Sequence, residues 1–326
     1  MSDVIVGVDL GGTNVKTAVV STGRELLAKD SRLSEAAGGP EAVMDTMEQS
    51  VRDVLAEAGQ SLEQVLAVGF GAPGPMNWQT GVVYCPPNLP GWKNVPLAST
   101  MSARLGVPCY VENDANAAAF GEFWMGAGRG TQCMVVLTLG TGVGGGIVVF
   151  GQLLRGIDGT AAELGHLKVQ RDGRLCGCGS HGCLEAYASV TGMIRTAVKG
   201  LDKGKDSILK EMCQSDLERM TGKMIFDAAQ QGDKLAQKVF RETATWLGLG
   251  IASLVNMLNP EKVVLCGGMI DAGDLLFAPV IETVRENAFE VPANRCAIVP
   301  AGLGADAGVL GCAGCALDRY HTEHEE

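Results

Sequence analysis

The sequence predicts a duplicated α/β fold with a cleft between its two domains. Residues 3–9 form a β-branched strand that meets Gly11 and Gly12, and a second strand pattern follows over residues 17–21. This hairpin with glycines at its tip recurs over residues 134–150. Such a recurrence indicates duplication, and 326 residues suit two average domains of roughly 150 residues each.

The other elements follow from the spacing of apolar residues and from the turn residues between them. An amphipathic helix is predicted over residues 41–58, because apolar residues recur there at helical spacing; they are Val43, Met44, Met47, Val51, Val54 and Leu55. The remaining predictions, in chain order, are a strand at 25–31, a strand at 65–70, a Pro/Gly-rich loop at 71–96, a strand at 108–111, a helix at 113–124, strands at 134–139 and 147–150 around a glycine-rich turn, helices over 184–258, a strand at 262–266, and a strand and helix within 296–317. We expect one domain at 1–115, with a helix at about 305–326 packed back on it, and a larger domain at 116–304 with an inserted cysteine-rich loop.

Composition and charge exclude several classes of protein. Lys plus Arg is 26 and Asp plus Glu is 37, and the resulting net charge of −11 repels phosphate backbones and anionic lipid. We therefore expect no nucleic-acid and no membrane partner. The N-terminal residues lack the basic region of a secretory signal, and the uncharged stretch at 243–259 contains polar residues that favour a buried helix over a membrane span. Eleven cysteines then favour reduced thiols and a cytoplasmic location.

Two glycine-rich loops are candidates for phosphate binding. The first runs from Asp9 through Gly11, Gly12 and Thr13 to Lys16, and glycines without a Cβ let backbone N–H groups approach phosphate oxygens while Asp can hold the water shell of Mg²⁺. A plain Gly-Gly hairpin turn is the alternative. The second loop, which contains Thr138, Gly140, Thr141 and Gly142, has five glycines within seven residues, more than a hairpin needs. Together the loops indicate a nucleotide, and Gly267 and Gly268 after a predicted strand are a third close approach.

Two common phosphate-binding motifs do not fit. The chain contains no G-x-x-x-x-G-K-[ST] segment, which excludes a P-loop nucleoside triphosphatase. Residues 69–74 fit G-x-G-x-x-G after a strand, but Pro73 and Pro75 disfavour a helix start there, and no acidic residue lies between Glu63 and Glu112 to bind a ribose. An NAD enzyme is therefore disfavoured.

A cluster of cysteines predicts a metal site. Cys176, Cys178 and Cys183 form a C-x-C-x₄-C pattern, with His166 ten positions earlier and His181 inside the loop. Three thiolates and one imidazole complete a tetrahedral zinc shell. Such a closed site leaves no open position for water, so we expect this zinc to be structural. Three free cysteines in a glycine-rich loop are the alternative.

Polar residues at 112–116 follow a predicted strand and open a predicted helix. An N-cap at Asn113 or Asp114 would use one of them, and the remainder favour a polar site at the end of the strand. Glu163, His166 and Glu185 bracket the cysteine-rich loop, so a bound metal would hold them on one rigid scaffold.

These motifs resemble those of the ROK family (repressors, open reading frames and sugar kinases), and the resemblance covers nearly the whole chain. Its most specific part is Glu163-Leu-Gly-His166 followed by the C-x-C-G-x-x-G-C-L-E segment that ends at Glu185. The resemblance implies an actin/hexokinase-like (ribonuclease H-like) fold. Within the family the pattern is most similar to the glucose kinases, and Ala161-Ala162 stand where ROK fructokinases carry His-Pro, which disfavours fructose.

The resemblance also implies roles for individual residues. ATP would phosphorylate the 6-hydroxyl of glucose, with Asp114 as the base that accepts the hydroxyl proton. Asn113, Asp114, Glu163, His166, Glu185 and Gly74 would bind the sugar, and the loops at Asp9–Lys16, Thr138–Gly142 and Gly267-Gly268 would bind ATP and Mg²⁺. His166 would use one ring nitrogen for zinc and the other for sugar, and His181 is the second choice of ligand.

Alternatives within the family remain open. A sugar-sensing repressor would carry a helix-turn-helix ahead of the first phosphate strand, whereas Asp9 lies eight residues from the start and the charge has the wrong sign for DNA. A kinase for another hexose or an N-acetylhexosamine would share most of the sugar contacts, and residues 76–96 are expected to decide between them. The resemblance further implies a homodimer.

Overall fold

The computed structural model describes residues 3–86 and 88–324. The chain divides into two compact units, one formed by 1–130, 146–162 and 302–326 and the other by 131–145 and 163–301. The division therefore falls after residue 130 and not after residue 115, and residues 146–162 belong with the first unit. The helix at 114–124 stays in the first unit because it packs against the C-terminal helix at 307–324.

The first unit is a five-stranded sheet with helices packed on it. Its elements are β1 (Val4–Leu10), β2 (Asn14–Ser21), β3 (Leu26–Leu33), α1 (Gly39–Glu57), β4 (Val65–Ala72), β5 (Met76–Asn77), β6 (Val82–Val83), α2 (Leu97–Leu105), β7 (Cys109–Asn113) and α3 (Asp114–Trp124). The sheet order is β3-β2-β1-β4-β7, with antiparallel pairing among β1 to β3 and parallel pairing of β4 with β1 and β7. The predicted loop at 71–96 is partly wrong, since β5 and β6 pair within it, and helix α2 has no counterpart among the predictions.

Helix α1 forms as its periodicity predicts. All six apolar residues of the predicted stripe are buried in the core of the first unit. They face β2 and β3, because a helix with one apolar stripe loses that surface to water unless it packs on a sheet.

A second five-stranded sheet repeats the plan of the first. It contains β8 (Cys133–Leu139), β9 (Val143–Val149), β10 (Gln152–Leu153), β11 (Lys262–Cys266) and β12 (Ala297–Pro300) in the order β10-β9-β8-β11-β12. Strands β9 and β10 pair antiparallel, whereas β11 pairs parallel with both β8 and β12. The first sheet has the same combination of antiparallel and parallel pairs. The predicted duplication is confirmed. Strand β9 starts at Val143, inside the predicted glycine-rich turn, so three of those glycines belong to a strand.

Apart from β8, the start of β9, β11 and β12, the regular elements of the second unit are helices. They are α4 (Glu185–Ala188), α5 (Val190–Asp202), α6 (Leu209–Met212), α7 (Gly222–Gln230), α8 (Lys234–Leu258), α9 (Asp274–Asn287) and α10 (Glu290–Arg295). Helix α8 spans the uncharged stretch and buries one face over most of its length. Within the residues that the structure describes, no helix is long and apolar enough to cross a membrane.

The last helix, α11 (Ala307–His324), packs on β1, β4 and α3 of the first unit. Two glycines let it approach closely. A Cβ on Gly69 in β4 would lie 1.9 Å from the Cys312 carbonyl oxygen, and one on Gly311 would lie 1.6 Å from the Ala117 carbonyl oxygen. Gly69 is therefore required by helix packing.

Candidate active site

In the first unit, the turn after β1 carries the first predicted phosphate loop. The Gly11 N–H donates to the Asn14 carbonyl at 2.9 Å, and Gly11, Gly12 and Thr13 are exposed at its tip. Lys16 on β2 is the register partner of Asp9 on β1, and its Nζ donates to the Ala305 carbonyl at 2.7 Å. The exposed loop thus follows a cross-strand pair of a carboxylate and an amine, Asp9 and Lys16.

Asp9 is largely buried, and this burial raises the pKa of its carboxyl from the ordinary 3.8 to about 6. Lys16 acts in the opposite direction, and the negative charge of Asp114 raises the pKa further. The mutual repulsion of the two carboxylates makes this edge of the first sheet a favourable place for a cation.

Asp114 lies at the junction of β7 and α3. Glu112 and Asn113 pair with Gly71 and Ala72 of β4, so the end of β7 lies at the same edge of the sheet as the end of β1. Asn113 is the N-cap of α3, since its Oδ1 accepts from the backbone N–H groups of Ala115 and Asn116 at 2.9 and 3.2 Å.

The Asp114 side chain is exposed, and its Oδ1 accepts from the Ala115 N–H at 2.9 Å. A helix N-terminus favours the charged carboxylate. Gly74, the remaining residue of the first unit predicted to bind sugar, has φ of 81° shortly after β4.

The second predicted phosphate loop turns between β8 and β9 in the second unit. The Gly140 N–H donates to the Gly142 carbonyl at 3.0 Å. A Cβ on Gly142 would lie 2.4 Å from Oε2 of Glu185, and one on Gly267, whose φ is 92°, would lie 2.3 Å from the Leu139 carbonyl oxygen. The contact at Gly267 is with backbone, so the segment after β11 packs backbone to backbone against the end of β8, whereas Gly142 lies against the Glu185 carboxylate.

A cavity of about 520 Å³ opens beside this loop, entirely within the second unit. It combines apolar side chains with one lysine and one aspartate, the composition typical of a site for a small molecule with an apolar body. Gly140, Thr141 and Gly268 were predicted. The other lining residues were not predicted from the sequence; they are Leu139, Val190, Met193, Gly222, Lys223, Phe226, Phe240, Met269, Asp271 and Ala272. Those on α5, α7 and α8 lie in amphipathic helices whose sequence pattern is that of ordinary core residues.

The four predicted metal ligands converge. The ligand atoms of His166, Cys176, Cys178 and Cys183 all lie within 4.8 Å of one another. Sγ of Cys178 lies 3.8 Å from Sγ of Cys183, and Sγ of Cys176 lies 3.7 Å from Nδ1 of His166. Two sulfurs, each about 2.3 Å from a tetrahedral zinc ion, lie roughly 3.8 Å apart, so the donor set fits this metal.

The surroundings of the cluster separate the two candidate histidines. The ring of His181 is directed at the Gly173 carbonyl, with Nδ1 at 3.0 Å from the oxygen, and is not part of the group.

A lysine that was not predicted lies beside the cluster: Nζ of Lys168 is 3.0 Å from Sγ of Cys183. Burial raises the pKa of the Cys176 thiol to about 12, whereas a backbone hydrogen bond from Ser180 lowers the pKa of Cys178.

The residues predicted to bind sugar in the second unit surround this cluster. Nε2 of His166, the ring nitrogen away from Cys176, lies 4.0 Å from Oε2 of Glu163. Glu185 opens α4, with Oε1 3.2 Å from Sγ of Cys176 and Oε2 accepting from the Val143 N–H at 3.1 Å. The structure therefore brings together Glu163, His166 and Glu185 with the cysteines.

Two α/β sheets of one plan, each with a glycine loop between its first two strands, define a protein of the actin/hexokinase-like class. The sequence model of the ROK family matches residues 5–319 of this chain. The chain belongs to the ROK family.

Three relatives illustrate the similarity. The glucokinase of Thermotoga maritima is 39% identical over 315 residues, which cover 97% of this chain and 98% of that protein. The crystal structure of the ROK hexokinase from Thermus thermophilus is 33% identical with a TM-score of 0.84, covering 98% of this chain and 99% of the other. The ROK family glucokinase from Streptomyces griseus, solved with glucose and AMPPNP, is 36% identical with a TM-score of 0.76, covering 97% and 99%.

Proposed function

We propose that the protein is an ATP-dependent glucose kinase that phosphorylates the 6-hydroxyl. The observation that carries this proposal is the position of Asp114, an exposed carboxylate at the start of α3, at the same sheet edge as Asp9 and the first glycine loop. The similarity along the whole chain to proteins named glucokinase, one of them solved with glucose and an ATP analogue, supports the same substrates.

In the proposed reaction Asp114 accepts the proton of the sugar hydroxyl. The hydroxyl oxygen forms a bond to the γ-phosphorus as the bond from that phosphorus to the ADP oxygen breaks, and ADP leaves with that electron pair. Phosphoryl transfer has a loose transition state, so the proton departs late and positioning supplies much of the rate. An ionised carboxylate at a helix N-terminus is sufficient as this base.

Nucleotide binding is assigned to both glycine loops. Asp9 would hold Mg²⁺, which supplies charge neutralisation to the transferred phosphoryl group, and Gly11, Gly12, Thr13 and Lys16 would contact phosphate oxygens. In the second unit, Thr138, Gly140, Thr141 and Gly142 with Gly267 and Gly268 would form the other phosphate contacts. The apolar cavity beside them suits a purine and ribose.

The proposed metal is a structural zinc ion held by His166, Cys176, Cys178 and Cys183. Three thiolates leave a zinc site with one net negative charge, and the ammonium of Lys168 beside Cys183 offsets that charge. Because Nδ1 of His166 faces Cys176, Nε2 stays available to a sugar hydroxyl. Asn113, Glu163, Glu185 and Gly74 would complete the sugar contacts.

The proposal includes a homodimer, as the family resemblance implies, and a reducing cytoplasmic compartment, in which thiolate ligands persist. Analytical ultracentrifugation measures the first. A panel assay tests the central claim: purified protein is incubated with glucose, fructose, mannose and N-acetylhexosamines, each with ATP, ADP or polyphosphate, and sugar phosphate is detected. Glucose 6-phosphate from ATP is the expected product. Preferential phosphorylation of another sugar would replace glucose as the substrate, and no product from any sugar would refute a kinase.

A further inference from the structure

A buried ion pair between Arg155 and Glu112 lies next to the start of α3. Nε of Arg155 donates to Oε2 of Glu112 at 2.7 Å, and the two side chains are only 9% and 7% exposed. The two residues are separated by 43 positions in the chain, and both belong to the first unit. Taking two opposite charges out of water is costly, and an apolar pair of similar volume is often at least as stable. Stability alone therefore does not account for this pair.

The other carboxylate oxygen of Glu112 connects the pair to both sides of Asp114. Oε1 accepts from the Asn113 backbone N–H at 3.0 Å and from Nδ2 of Asn116 at 3.1 Å. Asn113 immediately precedes Asp114, and Asn116 lies in the same first helical turn. With Oε2 held by Arg155, Glu112 has one fixed orientation, and it restrains the residues that flank Asp114.

Arg155 is itself held by an aromatic ring. Its guanidinium lies 4.9 Å from the ring centroid of Trp78, within the range of a cation–π contact. Arg319 of α11 lies 5.3 Å from the same centroid. Nη2 of Arg155 has no hydrogen-bond partner in the described part of the chain. The Trp78 ring and the Glu112 carboxylate together hold the guanidinium in this buried position.

We propose that Arg155 is a positioning residue for phosphoryl transfer, acting through Glu112 on the orientation of Asp114. The inference rests on the proposed function, in which Asp114 is the base. Reaction rates are sensitive to small displacements of a reacting group, and a misplacement of about 1 Å can reduce turnover roughly a hundredfold. A change at Arg155 is therefore expected to affect kcat through Asp114.

The test uses Arg155→Lys, which keeps the charge but loses the fixed geometry of the guanidinium. Arg319→Lys is the matched control, because Arg319 contacts the same Trp78 ring and makes no hydrogen bond to Glu112 among those of the described residues. We expect kcat of Arg155→Lys to fall about 10- to 100-fold with the KM for ATP within about twofold, and kcat of Arg319→Lys to stay within about threefold of wild type.

A double-mutant cycle separates positioning from general destabilisation. In the Asp114→Asn background the base is absent, so Arg155→Lys should change the residual rate by less than about twofold. An equal loss in both backgrounds, or a kcat for Arg155→Lys within twofold of the Arg319→Lys control, overturns the proposal.

Folding and the proposed function are controlled separately. Thermal unfolding is measured for every variant, and if Arg155→Lys does not fold, the double variant Arg155→Met with Glu112→Gln, which removes both charges, replaces it. A folded double variant with reduced kcat and unchanged KM for ATP supports positioning, and one with wild-type kcat refutes it. Absence of sugar phosphorylation by the wild type would instead defeat the proposed function.

Discussion

The carboxylate of Glu185 connects the Cys₃His cluster to the second glycine loop, since Oε1 lies 3.2 Å from Sγ of Cys176 and Oε2 accepts from the Val143 N–H. Glu185 is also the first residue of α4. A single residue at the start of a helix therefore contacts both a predicted metal ligand and the first residue of β9. Geometry at the cluster is thereby transmitted to a residue that we assign to sugar binding.

Metal removal should therefore weaken sugar binding more than nucleotide binding. Stripping the metal by chelation should lower glucose affinity by about 10- to 100-fold, as for the loss of a supporting contact in a metal site. ATP affinity should change less than about threefold, because no cluster residue lines the cavity beside the glycine loop. Calorimetry on the stripped and zinc-reloaded protein measures both affinities, and unchanged glucose affinity in the stripped protein would contradict the coupling.

The variant Asp114→Asn should lose turnover while sugar binding persists. Loss of a general base typically costs about 10²- to 10⁴-fold in rate, whereas an amide keeps the shape of the side chain and one oxygen acceptor. Steady-state kinetics and calorimetry with glucose give the two numbers. Asp45→Asn is the control, since Asp45 is an exposed carboxylate that pairs with Arg104 on the surface of the first unit. Wild-type turnover by Asp114→Asn would eliminate it as the base.

Asp9 should make activity and stability respond oppositely to pH. With a pKa of about 6 in the folded state and 3.8 as its ordinary value, the folded protein holds a proton that the unfolded chain has lost between these pH values. Without Mg²⁺ and nucleotide, the contribution of Asp9 to stability therefore falls as pH rises from about 4 to 6 and stays low above that. Activity should fall as pH drops below about 6, because only the carboxylate can hold Mg²⁺.

The variant Asp9→Asn tests the sign of this effect. At pH 7 and without ligands, its free energy of unfolding should exceed that of wild type by about 1–3 kcal/mol, and the gap should close near pH 4. Its kinase activity should be lost. Urea unfolding across this pH range supplies the measurement, with the exposed Asp172→Asn as control. A gap that is constant with pH would show that the Asp9 carboxyl titrates normally.

Removing one aromatic side chain from the second-unit cavity should weaken the binding of nucleotide and leave the binding of sugar unchanged. Phe226 lines the cavity and packs edge to face on Phe240, with the two ring centroids 6.3 Å apart. The substitution Phe226→Ala should raise the KM for ATP about tenfold, corresponding to about 1.4 kcal/mol of lost apolar contact, with the KM for glucose within about twofold. Phe289→Ala, at an exposed phenylalanine outside that cavity, is the control. Equal KM values for ATP in the two variants would show that the nucleotide does not bind in this cavity.

Features encoded over short distances were predictable from the sequence. The helical spacing of Val43 to Leu55 and the repeated glycine hairpins each depend on residues within one or two elements. The N-cap was narrowed by the sequence to Asn113 or Asp114, and the structure selects Asn113. The cysteine cluster was also predictable, because the ligand spacing Cys176-x-Cys178-x₄-Cys183 already constrains its geometry.

Tertiary structure alone decided what depends on distant partners. Sheet order places β7 beside β4 and so brings Asp114 within the electrostatic reach of Asp9, which raises the pKa of that carboxyl. The cavity is built from α5, α7 and α8, whose helical periodicity is satisfied equally by plain core packing. Arg155 meets Glu112 across 43 residues. A sequence pattern reports which surfaces become buried, whereas the identity of the partner that buries them is fixed by strand order and helix packing, and those contacts position the chemistry.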